Sequence, residues 1–101
     1  MVVPSNVKLV KFPEFDEVDV KLFEGALDRF FKKIDPEAML HMSLKQYKKG
    51  GLRMQHEIHA KLDLAGDRFF AEREGWLLLD VIQDVLKVLE KEVKKKDSMK
   101  K

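Results

Sequence analysis

The sequence has no cysteine, one tryptophan, and no apolar run longer than the one from Trp76 to Leu79. Without cysteine there is no disulfide framework and no thiolate chemistry. The apolar run is far too short to span a membrane. The N-terminus lacks the basic segment and apolar core of a secretory signal. We therefore expect a soluble, cytoplasmic protein that has no membrane partner.

Signatures of catalysis are also missing. The chain contains no nucleophile elbow, no phosphate-binding glycine loop and no HExxH motif. Asp80 and Asp84 are one helical turn apart, but with Lys87 nearby this spacing is typical of a solvated helix face. We expect no enzyme activity, no catalytic residue and no cofactor.

The three histidines are the candidates for a metal site. His56 and His59 are three residues apart, so in a strand they point to opposite faces and cannot bind one ion together. His41 and His59 can share a face on neighbouring strands, but we expect no carboxylate cluster to complete a site there. We predict no metal site, and a partly buried, hydrogen-bonded His56.

Length and composition indicate one small domain. The chain has 101 residues, of which 45% are hydrophobic and 38% charged, which suits a single modest core. We place the domain at residues 1–96 and a basic, disordered tail at 97–101. The net charge of +2 conceals blocks: residues 1–28 and 62–84 are acidic, whereas 29–61 and 85–101 are basic.

The pattern of apolar residues predicts six elements in the order β-α-β-β-β-α. Prolines bracket a short first strand, and Asp16 or Asp19 caps a helix that ends at Asp35-Pro36. Gly25 within this helix suggests close approach of a strand or of the other helix. Period-two alternation then predicts three strands joined by glycine turns, and a long amphipathic helix follows Gly75.

We therefore predict an α+β fold, in which a mostly antiparallel four-stranded sheet has two helices packed on one face. The predicted apolar positions of the second and third strands are Leu40, Met42, Leu44, Leu52, Met54, Ile58, Ala60 and Leu62. The opposite, solvent-facing side is expected to carry His41, Lys45, Arg53, His59 and Lys61.

Three aromatic residues have two possible roles each. Trp76 follows the strand–helix joint, where we expect it to pack at the rim of the core rather than to stack on a base. Phe70 and Tyr47 are expected on the solvent-facing side of the sheet, where aromatic rings can stack on unpaired bases. Because surface aromatics are common, this pattern alone does not decide between the roles.

The basic residues near the helix ends suggest an anionic partner. Arg29, Lys32 and Lys33 end the first helix, and several lysines follow one side of the second. If the helices pack side by side, these cations form a stripe suited to a phosphate backbone. Cations at helix C-termini also complement the helix dipole, so charge alone supports nucleic-acid binding and plain solvation equally.

The span from His41 to Lys96 resembles the ribosome hibernation-promoting factor family, also called the ribosome-associated inhibitor or sigma-54 modulation family. The resemblance is carried by the order of strands, by Glu74-Gly75, and by the helix after it, with its residues Leu78, Ile82, Leu86, Leu89, Glu90 and the run Lys94 to Lys96. Trp76 stands where the family usually has an acidic residue.

The resemblance implies a ribosome-associated protein that occupies the mRNA and tRNA cleft of the small subunit and inhibits translation under stress. Its phosphate contacts to rRNA would be Arg29, Lys32, Lys33, Lys45, Arg53, Lys87, Lys91, Lys94 and Lys95. Two alternatives stay open. One is a homodimeric interaction module that pairs through its exposed sheet face or edge, and the other is a small-ligand carrier with a cavity lined by Phe30, Phe31, Met42 and Met54.

Overall fold

The computed structural model describes residues 4–51 and 53–99. Leu52, Lys100 and Lys101 lie outside the described residues. The elements are β1 (Val7–Val10), α1 (Glu17–Lys33), β2 (Met39–Lys49), β3 (Arg53–Leu64), β4 (Asp67–Gly75) and α2 (Leu78–Met99). The predicted order and the α+β class are confirmed. Since α2 runs on to Met99, the division of the chain at residue 96 stays a prediction.

The four strands form one mixed sheet in the order β1-β2-β3-β4. β1 runs parallel to β2, whereas β2, β3 and β4 form the predicted antiparallel meander. The side-chain amide of Asn6 donates hydrogen bonds to the carbonyl oxygens of Pro36 (3.0 Å) and Ala38 (2.8 Å). These bonds tie the start of β1 to the chain entering β2, across the parallel pair.

The β2–β3 turn depends on glycine. Gly50 and Gly51 have φ angles of 59° and 82°, a region that side chains with a Cβ rarely adopt. The two long strands are thereby joined by a tight hairpin, as the Gly-Gly pair predicts. The strands that flank this turn have 11 and 12 residues.

Local side-chain chemistry sets the limits of α1. The carboxylate of Asp16 accepts a hydrogen bond from the backbone N–H of Asp19 (2.8 Å), so Asp16, and not Asp19, is the N-cap. Glu17 and Asp19 lie in the first turn, and Lys32 and Lys33 in the last. The helix ends at Lys33, two residues before the predicted stop at Asp35-Pro36.

The core lies between the sheet and the two helices. Leu40, Met42, Leu44, Ile58, Ala60 and Leu62 are buried as predicted, and α1 and α2 cover them with Phe23, Leu27, Phe30, Val81, Ile82, Val85, Leu89 and Val93. Phe31 is buried in the same core, whereas Met54 near the hairpin tip is 36% exposed. The four residues predicted to line a ligand cavity are therefore not gathered around one. No helix within residues 4–51 and 53–99 is long and apolar enough to cross a membrane.

Gly75 closes the fold at the joint between β4 and α2. A Cβ atom at this position would lie 3.0 Å from Cγ2 of Val81, a buried residue in the first turns of α2. The missing side chain therefore allows α2 to pack directly over the end of β4. Gly25 is different, because its nearest neighbour is the Arg29 guanidinium at 3.3 Å. The predicted close approach of a strand or the other helix at Gly25 is wrong.

Candidate nucleic-acid interface

A groove between α1 and α2 brings together cations from both helices. Its sides carry Arg29 and Lys33 from α1 and Lys87 from α2, with Ala26, Phe30 and Leu86 among its other lining residues and a volume of about 110 Å³. It adjoins a wider depression of about 530 Å³, lined by Lys33, Arg73, Asp84, Lys87, Val88, Glu90 and Lys91. We call these two connected depressions, with the cations Arg29, Lys33, Arg73, Lys87 and Lys91, the basic groove.

Helical spacing explains why these side chains meet. Arg29 and Lys33 are four residues apart, as are Lys87 and Lys91, so each pair projects from one side of its helix. Side-by-side packing of the helices then places both pairs at one groove. The two pairs, which lie more than 50 residues apart in the chain, therefore share a surface.

Glu90 partly neutralises this surface. Its side chain is only 18% exposed, and its carboxylate lies 2.8 Å from the Lys94 ammonium and 3.9 Å from that of Lys33. The hydrogen bond from Lys94 and the positive charges of Lys94 and Lys33 lower the pKa of Glu90, although its desolvation opposes the shift. Glu90 therefore stays ionised and links the middle of α2 to Lys33 at the end of α1.

Arg73 belongs to the basic groove but was not among the predicted contacts. It follows Ala71 by two residues on β4 and pairs with Ile58 in the register, so it lies on the helix side of the sheet. Its guanidinium donates a hydrogen bond to the carbonyl oxygen of Glu72 (2.9 Å). The alternation that puts Phe69 and Ala71 toward the core contained this signal, since it assigns Arg73 to the same side.

The remaining predicted cations of the helices flank the basic groove. Lys32 forms an exposed ion pair with Asp28 (3.1 Å), one turn earlier in α1. Lys94 is held by Glu90, and Lys95 is exposed one turn beyond Lys91. At about 100° per residue, Lys87, Lys91, Lys94 and Lys95 fall within one side of α2. The structure thus extends the groove toward the end of α2.

Lys45 and Arg53 lie on a different surface. Both are on the side of the sheet that the helices leave uncovered, which we call the open face. Beside them are the predicted His41, His59 and Lys61, together with Glu57, Glu72 and Glu74. Glu57 pairs with Lys45 on one side and with Glu74 on the other. The residues predicted for this face lie on it, and Glu57 of β3 with Glu72 and Glu74 of the edge strand β4 add carboxylates beside them.

Those carboxylates also change the histidine prediction. Glu57 and Glu72 both contact the imidazole of His59, Glu57 through Nε2 and Glu72 through Nδ1 at 3.5 Å. One ligand atom from each lies within 4.8 Å of the others, so these three residues could geometrically hold a metal ion. The expectation that no carboxylate cluster accompanies His59 is therefore wrong. Because each ring nitrogen faces its own carboxylate, the arrangement equally serves as a polar side-chain network between β3 and β4.

His56 behaves as predicted. It lies on the side opposite to His59, is partly buried, and its Nδ1 is 3.1 Å from Nε2 of Gln46 on β2. Burial lowers the pKa of His56, because desolvation disfavours the protonated ring. The ring therefore stays neutral in the fold at pH 7.

Trp76 does not pack at the rim of the core. Its side chain is 43% exposed, and Cζ of Arg53 lies 4.5 Å from the centroid of its ring. Tyr47 and Phe70 are exposed on the open face, as predicted. The aromatic residue that was assigned to the rim of the core is therefore on the surface, in contact with a predicted phosphate-binding cation.

The fold and its groove define a β-α-β-β-β-α protein with two helices on one face of the sheet, and solved structures share this architecture. The N-terminal domain of Protein Y from Thermus thermophilus matches with a TM-score of 0.60 and 21% sequence identity, over 88% of this chain and 93% of that one. A ribosomal subunit interface protein from Coxiella burnetii matches with a TM-score of 0.65 and 16% sequence identity. The match covers 91% of this chain and 97% of that one.

At these identities the likeness establishes the fold. No family model matches the chain, and no curated protein sequence matches it. The fold that the resemblance predicted is confirmed, whereas the function that it implies needs an argument from the surface of this chain itself.

Proposed function

We propose that this protein is a cytoplasmic, non-enzymatic translation inhibitor that binds rRNA of the small ribosomal subunit in its mRNA and tRNA cleft. The observation that carries the proposal is the basic groove, in which Arg29 and Lys33 meet Lys87 and Lys91. The shared fold supports the same reading, because one of the proteins with this fold is described as a ribosomal subunit interface protein.

The charges of the groove suit a phosphate backbone. Five cations line it, against the carboxylates of Asp84 and Glu90, and four of the five project from the two helices while Arg73 comes from β4. Binding of this kind depends on charge and shape, needs no reacting group, and weakens as salt rises. A protein lodged in a cleft through such contacts inhibits by occupying space.

The predicted contacts then divide into two groups. Arg29, Lys33, Lys87 and Lys91, joined by Arg73, would make the main phosphate contacts. Lys32, Lys94 and Lys95 would extend the same surface. Lys45 and Arg53, on the open face, would contact a different part of the RNA, because the sheet separates them from the groove. The carboxylates of Glu57, Glu72 and Glu74 on β3 and β4 make a continuous RNA path across the open face unfavourable.

Cosedimentation with small ribosomal subunits across a series of salt concentrations tests the proposal. We expect binding that weakens with salt, and a double variant, Lys87→Glu with Lys91→Glu, that binds at least 10-fold less tightly. Each lost phosphate contact should lower the slope of log affinity against log salt by about 1. The matched control, Lys8→Glu with Lys21→Glu, makes the same charge change at exposed lysines outside the groove.

Two results would contradict the proposal: no cosedimentation at low salt, or equal losses in the groove variant and its control. Light scattering distinguishes the rival function. A stable dimer without affinity for subunits or RNA would favour the homodimeric interaction module, paired through the open face or a sheet edge.

A further inference from the structure

We propose that Trp76, Arg53 and Tyr47 form a platform for an unpaired nucleobase of RNA at the hairpin end of the open face. This inference deepens the proposed function and rests on it, since it names a base contact in addition to the phosphate contacts of the groove. We call these three residues the aromatic platform.

The three residues of the aromatic platform lie around Gln55 in the sheet. Tyr47 lies directly opposite Gln55 in the β2–β3 register, and Arg53 is two residues away on the same side of β3. On the other flank, His56 pairs with Gly75, so the chain at Trp76 runs next to Gln55. The 4.5 Å contact between Arg53 and the Trp76 ring completes the cluster. Two aromatic residues and an arginine are thus the neighbours of Gln55 in the sheet on this face.

The Trp76 ring is arranged for stacking. Arg53 covers it through a cation–π contact, which fixes the orientation of the indole, yet 43% of the side chain stays exposed. A base that stacks on the exposed part of the ring would extend the Arg53–Trp76 stack. Tyr47, 41% exposed on the neighbouring strand, offers a second ring. Stacking of this kind tolerates any base, because every base has a π face.

Gln55 supplies a hydrogen-bond acceptor beside the platform. Its side-chain Oε1 is buried and has no hydrogen-bond partner among the described residues, an unfavourable state for an acceptor. An amino group of a stacked base, reaching this oxygen after a small shift of the surrounding side chains, would provide the missing donor. The acceptor therefore favours a ligand that has both a π face and N–H groups.

The local charge favours a nucleic acid as the source of that base. Arg53 and the exposed Lys45 lie on the open face at this end of the sheet. The nearby Glu57 is engaged by His59. A phosphate that follows the stacked base therefore meets cations, which a platform for an uncharged aromatic ligand would not need.

Trp76 is the only tryptophan in the chain, so its fluorescence reports on the platform directly. The probe is a short single-stranded oligoadenylate, and its control is an abasic oligomer of equal length and charge. We expect oligoadenylate to quench Trp76 and the abasic oligomer to leave its emission unchanged. Two results would overturn the proposal. One is unchanged Trp76 emission when fluorescence anisotropy shows that labelled oligoadenylate is bound. The other is equal quenching by both oligomers.

Substitutions provide the second measurement. Trp76→Ala should weaken oligoadenylate binding roughly 5- to 100-fold, whereas Trp76→Phe should retain most of the affinity because it keeps a ring. Phe70→Ala is the matched control, since it removes an aromatic side chain that is 66% exposed at the other end of the open face. Equal effects of Trp76→Ala and Phe70→Ala would refute a specific platform, and urea denaturation verifies that each variant is folded.

The two proposals can fail separately. If small subunits bind the protein through the groove but leave Trp76 emission unchanged and are indifferent to Trp76→Ala, the platform is wrong and the proposed function stands. If oligoadenylate quenches Trp76 while subunits do not cosediment, the platform stands and the proposed function is wrong.

Discussion

Gly75 shows how a single missing methyl group positions a helix. Substitution of Gly75 by alanine would push a Cβ atom against Val81, whose side chain is held in the core. We expect Gly75→Ala to lower the free energy of unfolding by about 1–2 kcal/mol, as small overpacking changes do. Urea denaturation followed by circular dichroism measures the loss.

Gly25→Ala is the matched control for that prediction. There the added Cβ atom meets only the mobile end of Arg29, and replacement of glycine inside a helix stabilises by up to about 1 kcal/mol. We therefore expect the free energy of unfolding to fall in Gly75→Ala and to rise in Gly25→Ala. A stable Gly75→Ala protein would show that the joint is not tightly packed.

At the level of residues, alternation predicted which side chains of β2 and β3 enter the core, and also the opposite faces of His56 and His59. It failed at Trp76. The residue follows the last position of β4, where the strand pattern ends, and its partner Arg53 is 23 residues earlier in the chain. Contacts between residues so far apart depend on strand register, which composition and spacing do not reveal.

Among the elements, α1 depends on its first turn. Asp16 satisfies a backbone N–H that has no partner within the helix, and its charge complements the helix dipole. We expect Asp16→Ala to reduce stability by about 1 kcal/mol, and Asp16→Asn, which keeps the acceptor, to lose less. Asp28→Ala, which breaks the exposed ion pair with Lys32, is the control. If Asp28→Ala lost as much stability as Asp16→Ala, the result would argue against capping by Asp16. Thermal unfolding measures the stability of the three variants.

The elements themselves were predictable, because each has a clear period, a cap or a glycine turn. Their contacts were less so. Nothing in the sequence decides whether the last turn of α1 lies beside α2, yet the basic groove depends on that contact. Arg73 was missed for a related reason: its position in the alternation was readable, but only the packing of α2 over β4 shows that cations surround it.

For the molecule as a whole, Glu90 balances stability against affinity for an anion. Its pKa is lowered, so its ionised form stabilises the fold above the ordinary value of 4.5, and this stabilisation is lost as the pH falls below that value toward the lowered pKa. We expect Glu90→Gln to be less stable at pH 7, with a smaller loss of stability on acidification than the unmodified chain.

The same variant should bind RNA more tightly, because Lys33 and Lys94 are released from their shared carboxylate. Filter binding at two salt concentrations should show a several-fold gain that salt diminishes. Glu92→Gln removes an exposed carboxylate of α2 and is the control. Equal gains for the two variants would mean that only net charge matters, and not the pairing with Lys33 and Lys94.

The polarity of α1 affects how quickly the protein finds a partner. Acidic residues stand at the start of this helix and basic residues at its end, so their full charges oppose and outweigh the partial charges of the helix dipole. In the field of a polyanion the molecule experiences a torque that turns the basic end forward before any contact forms. Salt should therefore slow association more than it speeds dissociation, and productive encounters should begin with the end of α1 leading.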